Sequence, residues 1–530
     1  MVQIIILAIL LQASRIDAYK ILVLYPFPSF SHQQPMMVLT EGLVKRGHQV
    51  FSVTPNGMSG LGENYTYVDM SFSYKYLSPD NKDKIFNMHR QIGKWEFFTD
   101  NLRPLARLPG YQYQSEEFEK FRRQVEKKQL EFDVVIGANI FMPYVCGMSR
   151  YLGGKKAPPI ISFTTFAIDY IHEYSLGNPF HASYTPSTFD AYNYPMYFWE
   201  KMENWFSYLY LTSSTKSLME QGSRDFFRET YGSEYEALID NCYSNVSLSM
   251  ITSNLIYFYP RLLAPNIIEL GPLHIAETPQ KLPQSLQEWC DGAEKGVIYF
   301  SLGGNMRSKN LEPVIQSNFV RVFKELPAGY RVLWKWELEG KVPGQSDNVL
   351  TQQWVPQQSL LAHPKIKLFI MQGGLQSYQE AVHYGVPTVG IPWFSDQEAS
   401  VAHMVNFGLG ARLRPQDLYS HEKIKKAIET VLLEESYSKN MKRRSALSRD
   451  FTSNSLNKAI FWVEHVARHG GASHLRPSTA DSTLFEYFCL DIITTILVLC
   501  LTIVLLILSI VKMIRSVLAS SPSLKIKKTS

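Results

Sequence analysis

The chain has 530 residues, 53 of them Lys or Arg and 48 Asp or Glu, and 45% are hydrophobic. That length exceeds a single hydrophobic core, and that apolar share excludes a chain that is mainly disordered. Five basic residues follow the last acidic one. Without them the two signs balance at 48 each, so the body lacks the positive excess of a nucleic-acid binder. Five Cys without CxxC spacing exclude a disulfide framework and argue against structural zinc.

Val2 to Ala13 is apolar except for Gln3 and Gln12. It is too short to span a bilayer and reads as a signal peptide over 1–18, ending at Ala18; the competing reading is a buried first strand. Tyr19 to Tyr25 (YKILVLY) is an apolar run of strand length. A Pro- and Ser-rich loop follows, then a helix from Pro35 to Arg46 stopped by Gly47, then a strand at Val50 to Val53. This βαβ opening predicts a parallel sheet covered on both faces, continued at Phe132 to Ile136 and Ile160 to Phe163. Asn64-Tyr65-Thr66 and Asn245-Val246-Ser247 are glycosylation sequons. Between Asp190 and Tyr210 lie nine aromatic residues, which suit a core helix, an apolar wall for a ligand, or a membrane-facing surface.

A second set of strands is expected at Val297 to Leu302, Arg331 to Trp336, Asn348 to Thr351, Lys367 to Met371 and Pro387 to Ile391. The Pro-rich stretch Gly271 to Pro283 is the linker between the sets. The chain thus divides into α/β domains at 19–275 and 276–475, facing each other across a cleft at the carboxyl ends of their strands. Residues 476–491 form a juxtamembrane segment. Ile492 to Val511 is uncharged and, at about 1.5 Å per residue, matches the hydrocarbon thickness of a bilayer. With acidic residues before it and basic ones after, the tail at 512–530 is expected in the cytosol and the domains on the other side. Lys527 and Lys528, just before Thr529-Ser530, resemble a dilysine retrieval signal of endoplasmic-reticulum membrane proteins.

The chemistry concentrates between Trp354 and Gln397. Gly373-Gly374 turns from a strand into the helix Leu375 to Tyr384, and unpaired N–H groups at such a start suit a pyrophosphate. Gly303-Gly304 makes a second such turn. Trp354 is placed either in the core or to stack on a nucleobase, with Gln357 beside it to read the base edge. Glu380 lies either on a solvated helix face or where it accepts from ribose hydroxyls. Asp396 either caps a helix or, with Gln397, grips sugar hydroxyls.

This stretch, WVPQQSLLAHPKIKLFIMQGGLQSYQEAVHYGVPTVGIPWFSDQ, resembles the signature of the UDP-glycosyltransferases, membrane-bound enzymes that conjugate small lipophilic molecules in detoxification. The likeness extends to the YKILVLYPFPSFSH start, LGNPF at Leu176 to Phe180, the FSLGG turn and the C-terminal anchor. QGGLQS at Gln372 to Ser377 looks like the arthropod branch. The resemblance implies a GT-B fold, two Rossmann-like doubly wound domains facing a cleft, plus the C-terminal transmembrane helix. It implies Trp354 stacking on uracil and Gln357 bonding to it. Ser301, Gly303 and the run Gln372, Gly373, Gly374 and Gln376 would hold the diphosphate. Glu380 would hold the ribose, and Asp396 and Gln397 the sugar. UDP-sugar is then a co-substrate, with neither cofactor nor metal expected, since no DxD motif occurs. A homo- or hetero-oligomer stays open.

The family's base is a His in the loop after the first strand, where His32 stands. An imidazole of ordinary pKa takes a hydroxyl proton at neutral pH. His48 and His363 are expected to be structural. The family's acidic partner of the base is missing: its expected places hold Ala138 or Pro143. Asp133 should face away from the cleft, and Asn139 is the residue able to orient a neutral His32. The expected function is inverting transfer of a hexose, glucose by the arthropod resemblance, to a lipophilic hydroxyl. Against it stand a catalytically weak relative that binds UDP-sugar or lipophiles or partners an active homologue, and a nucleotide-sugar hydrolase.

Overall fold

The computed structural model describes residues 18–77, 90–153, 157–167, 175–304 and 306–520, so the expected signal peptide and the terminal lysines lie outside the described residues. Two parallel sheets carry the body. The first joins β1 (Lys20–Leu24), β2 (Gln49–Thr54), β3 (Tyr65–Asp69), β4 (Val134–Ala138), β5 (Ile160–Thr164), β6 (Val246–Ile251) and β7 (Ile267–Glu269), in the order β3-β2-β1-β4-β5-β6-β7. The second joins β8 (Gly296–Ser301), β9 (Tyr330–Lys335), β10 (Val349–Gln352), β11 (Ile366–Met371), β12 (Thr388–Gly390) and β13 (Gly410–Arg412), in the order β10-β9-β8-β11-β12-β13. The central strands are buried except for Lys20 at the start of β1 and the exposed Lys367 near the start of β11, as a sheet with both faces covered requires. In each sheet the order reverses beside the first strand, between β1 and β4 and between β8 and β11. Those switch points open a crevice at the carboxyl ends.

Four strands lie outside the sequence expectation. β6 (VSLSMI) carries Ser247 and Ser249, whose hydroxyls interrupt an apolar run; Ser249 Oγ bonds Ser162 Oγ of β5 at 3.2 Å, so the polar group is satisfied inside the sheet. β3 is an edge strand, and β7 and β13 have three residues each. Helix α1 (Phe30–Lys45) starts before the expected Pro35. Gln33 N already donates to Ser29 O, and a Pro early in a helix removes a single bond.

The aromatic segment becomes the start of α2 (Phe198–Tyr231), with an inverted pattern. Asn204, Ser207 and Thr212 face inward, while Phe198, Trp199, Trp205, Phe206 and Tyr210 face out, Trp199 being 75% exposed. Asn204 satisfies its burial by donating to Ala182 O and Thr185 O. Of these aromatics Tyr208 packs inward, stacked on Phe180. Neither a core helix nor a ligand wall describes the outward stripe.

The chain returns to the first sheet after completing the second. Helix α5 (Glu435–Thr452) packs on α3 (Leu375–Tyr384), of the second half, where Ser445 Oγ donates to His383 O. It also reaches back through Ser448 to Tyr257 of the first half. Helix α6 (Ser455–His469) then packs on α1, with Gly42 close beneath Leu456 and Ile460. Its Glu464 accepts from Arg46 Nε at 3.2 Å and His48 Nε2 at 3.1 Å, while His48 Nδ1 accepts from Tyr19 N. From Ser478 the chain forms a separate unit. Within it α7 (Leu490–Ser520) spans 31 residues with a mean hydropathy of 3.0 in its most apolar stretch, long and apolar enough to cross a membrane.

Glu464→Ala leaves the fully buried His48 N–H without its acceptor. Such a loss costs about 1–3 kcal/mol, so the thermal midpoint should fall by several degrees in a denaturation scan, whereas Glu41→Ala, on an exposed pair with Lys45, should leave it unchanged.

Candidate functional site

The two sheets meet through residues that follow the carboxyl ends of their strands. Gln376 Nε2 donates to Thr165 O at 3.1 Å and Gln379 Nε2 to Thr252 O at 2.7 Å. Ile92 N donates to Trp393 O, and Phe97 stacks on Phe394. The ring of Phe30, at the start of α1, stands edge-on to Trp354. The cleft thus brings the loops of one sheet against those of the other.

On the second-sheet side, α3 begins directly after β11, with Gly374 as its N-cap. Gly373 has φ +93°, and a Cβ there would come within 2.5 Å of Val401. Gly303 has φ +82°, and its Cβ would meet the amide of Gln372 at 2.7 Å. Both turns therefore need glycine, which leaves bare backbone beside the helix start. Ser301 Oγ accepts from Gly303 N and pins that turn. Gln397 Nε2 reaches Gln372 Oε1 at 3.4 Å, and Gln397 Oε1 accepts from Trp393 N. Gln376 spends its amide on Thr165 rather than on this surface.

Trp354 is 66% exposed, which removes the core placement, and its ring lies 6.0 Å from Lys335 Nζ. Gln357 is not free in this state. It accepts from Tyr299 and donates to Ser377 Oγ at 3.0 Å and Glu380 Oε2 at 2.6 Å. Glu380, 4% exposed, also receives Gln358, so it is a buried acceptor and not a solvated face. Asp396 stands at the N-cap of α4 (Gln397–Asn406) but makes no side-chain cap bond. Burial pushes its carboxyl up to about 7, and its neighbour Ser395 sits at φ +58°. The Asp396 carboxyl is engaged by its own backbone N–H and by the Ser395 side chain, in the loop between β12 and α4.

Lys335 is a residue that sequence reasoning missed. It ends β9, is almost buried, and donates to Gly303 O at 3.0 Å and Glu337 Oε1 at 3.1 Å. A Lys closing the apolar run Val332-Leu333-Trp334 was the available signal.

On the first-sheet side, His32 lies in the first turn of α1 rather than in a loop. Its ring lies between Phe27 and Phe166, at 4.8 and 4.6 Å, and lines an apolar pocket of about 710 Å³, mouth included. Phe97, Phe98, Phe163 and Phe189 form much of the wall, and Ser395 closes it from the second half. The ring keeps some open surface, yet the dense apolar wall lowers its pKa to about 4 by desolvation. His32 Nδ1 bonds Thr165 Oγ1 at 2.9 Å. Asn139 lines the same pocket, but its Oδ1 accepts from Ser162, and Ala138 offers no acid. Asp133 accepts from Lys20 N at the opposite end of the sheet, facing away as expected. His48 and His363 both serve packing: His363 Nε2 sits between Gln287 and Asp291.

Two switch-point sheets with a glycine-lined helix start on one side and an apolar, histidine-bearing pocket on the other define a GT-B glycosyltransferase. Among solved structures the chain resembles the glycotransferase of kitacinnamycin (TM-score 0.54, 17% identity, covering 87% of this chain and all of that one) and CalG4, the calicheamicin glycosyltransferase (0.53, 18%, 86% and 99%). Residues 20–522 match the family "UDP-glucoronosyl and UDP-glucosyl transferase", and the chain belongs to that family. It is 31% identical over 515 residues to UDP-glucosyltransferase 2 of Dactylopius coccus, covering 96% of each chain. It is 30% identical over 488 residues to UDP-glucuronosyltransferase 2B7 of Rattus norvegicus, covering 88% of each. It is therefore an enzyme that transfers sugar from a UDP-sugar to an acceptor.

The helix α4 also holds His403 between Phe258 and Tyr259, where burial lowers its pKa to about 3. A folded pKa below the unfolded one gives stability that is whole above about 6.5 and declines as pH falls. His403→Phe should therefore lose less in thermal midpoint between pH 7 and pH 5 than the native protein, as melting curves at the two pH values will show.

Proposed function

We propose that the protein moves a hexose, glucose by its likeness to the arthropod enzymes, from UDP-sugar to a hydroxyl of a small lipophilic acceptor. The observation that carries this is the placement of His32 on the wall of an apolar pocket that Ser395, beside Asp396, closes. An acceptor in that pocket lies between a neutral imidazole and the sugar segment.

In this reading Trp354 stacks on uracil, and Gln357 turns from Glu380 to the base edge. Glu380 takes the ribose hydroxyls. The glycine turns, Ser301, Gln372 and the start of α3 hold the diphosphate, with Gln376 holding that helix to the first half. Asp396 and Gln397 grip the sugar. His32, its Nδ1 engaged, removes the acceptor proton at Nε2 as the oxygen attacks the anomeric carbon. The C–O bond to UDP breaks, and the leaving charge falls on backbone N–H groups at the start of α3. Direct displacement inverts the centre and gives a β-glycoside. This scheme uses no cofactor or metal. The carboxylate-free surroundings of His32 favour a second reading, a family member that binds UDP-sugar or lipophiles without turnover.

Membrane-fraction assays with labelled UDP-glucose and a panel of phenols, flavonoids and steroids test both. His32→Ala should abolish transfer and keep UDP binding, whereas Trp354→Ala should weaken UDP binding by about 1–3 kcal/mol, the worth of one stacked base. Because His32 must be neutral, its own titration should leave activity intact down to about pH 5 and remove it near 4, and any step near pH 7 belongs to Asp396. Transfer by no acceptor, with UDP-glucose still bound, would leave the binding role.

We also propose a type I topology in the endoplasmic-reticulum membrane, with the catalytic body lumenal and α7 crossing. The outward aromatic stripe of α2 suits a bilayer interface. The exposed Asn64 is the better placed sequon, since Asn245 Nδ2 donates to Pro158 O. Endoglycosidase treatment of the expressed chain should raise its gel mobility, and Asn64→Gln should remove most of that shift; a cytosolic body would show none.

A further inference from the structure

The base has lost the carboxylate that its family places after β4, yet its ring is held. Three bonds converge on one residue that follows β5, one strand further along the sheet. Thr165 Oγ1 lies 2.9 Å from His32 Nδ1 and 3.2 Å from the phenol of Tyr25, and Thr165 O accepts from Gln376 Nε2 at 3.1 Å. Thr165 is 1% exposed and Tyr25 3%, so these groups have no water to turn to.

We propose that Thr165 is the positioning residue of His32 and couples the base to the donor helix, in place of the missing acid. This rests on the reading of His32 as base. The hydroxyl fixes the tautomer by where its single proton goes. If Thr165 donates to Tyr25 Oη, it accepts from His32 Nδ1–H, and Nε2 keeps its lone pair for the acceptor. If Thr165 donated to Nδ1, the ring proton would sit on Nε2 and the base would be blocked. Tyr25 Oη lies 3.2 Å away, within reach to accept the Thr165 proton, and the reading of His32 as base requires that direction of the bond. Burial raises the phenol's pKa, so it stays neutral and supplies no charge. The carbonyl of the same residue is bound by Gln376, on the second residue of α3. The helix start that receives the diphosphate and the imidazole that takes the proton are therefore held by the two ends of one residue.

The test uses the full-length chain in membranes. Thr165→Val keeps the shape and removes the hydroxyl. It should lower kcat roughly 10- to 100-fold, the range for a lost orienting bond, with KM for UDP-glucose unchanged. Thr165→Ser should restore most of that loss. The acid limb of kcat should also move to lower pH in Thr165→Val, because the imidazolium loses its Nδ1–H acceptor. Tyr25 is the other titratable group among the described residues of this pocket's wall, Asp396 stands next to its Ser395, and neither is changed in that variant. Should Thr165→Val fail to fold, Tyr25→Phe decides, with a fall in kcat at constant KM expected. A Thr165→Val enzyme with native kcat and an unmoved acid limb, beside an inactive His32→Ala, would overturn the positioning role and leave the base reading standing. An active His32→Ala would overturn both.

Discussion

Everything at the cleft depends on one constraint: backbone polar groups at the carboxyl ends of two parallel sheets must be satisfied by one another. A parallel sheet ends in loops whose N–H and C=O groups have no ladder partner, and burial forbids leaving them bare. Here amides from α3 answer them. Gln376 takes Thr165 O and Gln379 takes Thr252 O. Because these are short side chains on one rigid helix, they set the cleft width within hydrogen-bond tolerance. The C-terminal return adds a second clasp on the far side, where Glu464 on α6 is held by Arg46 and His48 just past α1. The first half is thus gripped at both ends of its sheet by elements that come later in the chain.

Within that frame desolvation sets the charge states. His32 lines the pocket from one half and Asp396 follows Ser395, which closes it from the other, and burial moves their pKa values in opposite senses. Each shift favours the uncharged form. A pocket lined by Phe97, Phe98, Phe163 and Phe189 gives charge no support, so the proposed chemistry there begins from a neutral imidazole. Lys335 stays a strand-end away, tied to Glu337 and Gly303 and close to Trp354.

The core strands were legible because a doubly covered parallel sheet writes itself as uninterrupted apolar runs. β1, β4, β8 and β11 all read that way. β6 was hidden by Ser247 and Ser249; the partner of Ser249, Ser162, lies 87 residues away, a pairing that no local pattern contains. The short edge strands β7 and β13 exist because a neighbour offers them a ladder, not because their residues demand it. The same division holds for the site. Glycine turns, Trp354 and Asp396 announce themselves through spacing along one stretch. Thr165 does not, because its role comes from meeting His32 across 133 positions and Gln376 across 211. For the aromatic stripe of α2 composition left open a core helix, a ligand wall or a membrane-facing surface, and the inward polar face removes the first two.

With Thr165, after β5, as the proposed partner of His32 in place of an acid after β4, an energetic consequence follows. A carboxylate beside an imidazole stabilises the imidazolium that proton transfer creates. A hydroxyl orients the ring and stabilises that charge far less. The neutral base is then easily kept, and the charged intermediate is costly. An apolar pocket makes both statements stronger. Such a site is best matched to an acceptor whose hydroxyl gives up its proton readily, as a phenol does, because the acceptor then supplies what the missing carboxylate would have given. On the proposed reading of His32 as base, Ala138 in place of an acid and the aromatic wall around the ring both favour acidic, lipophilic hydroxyls over aliphatic ones.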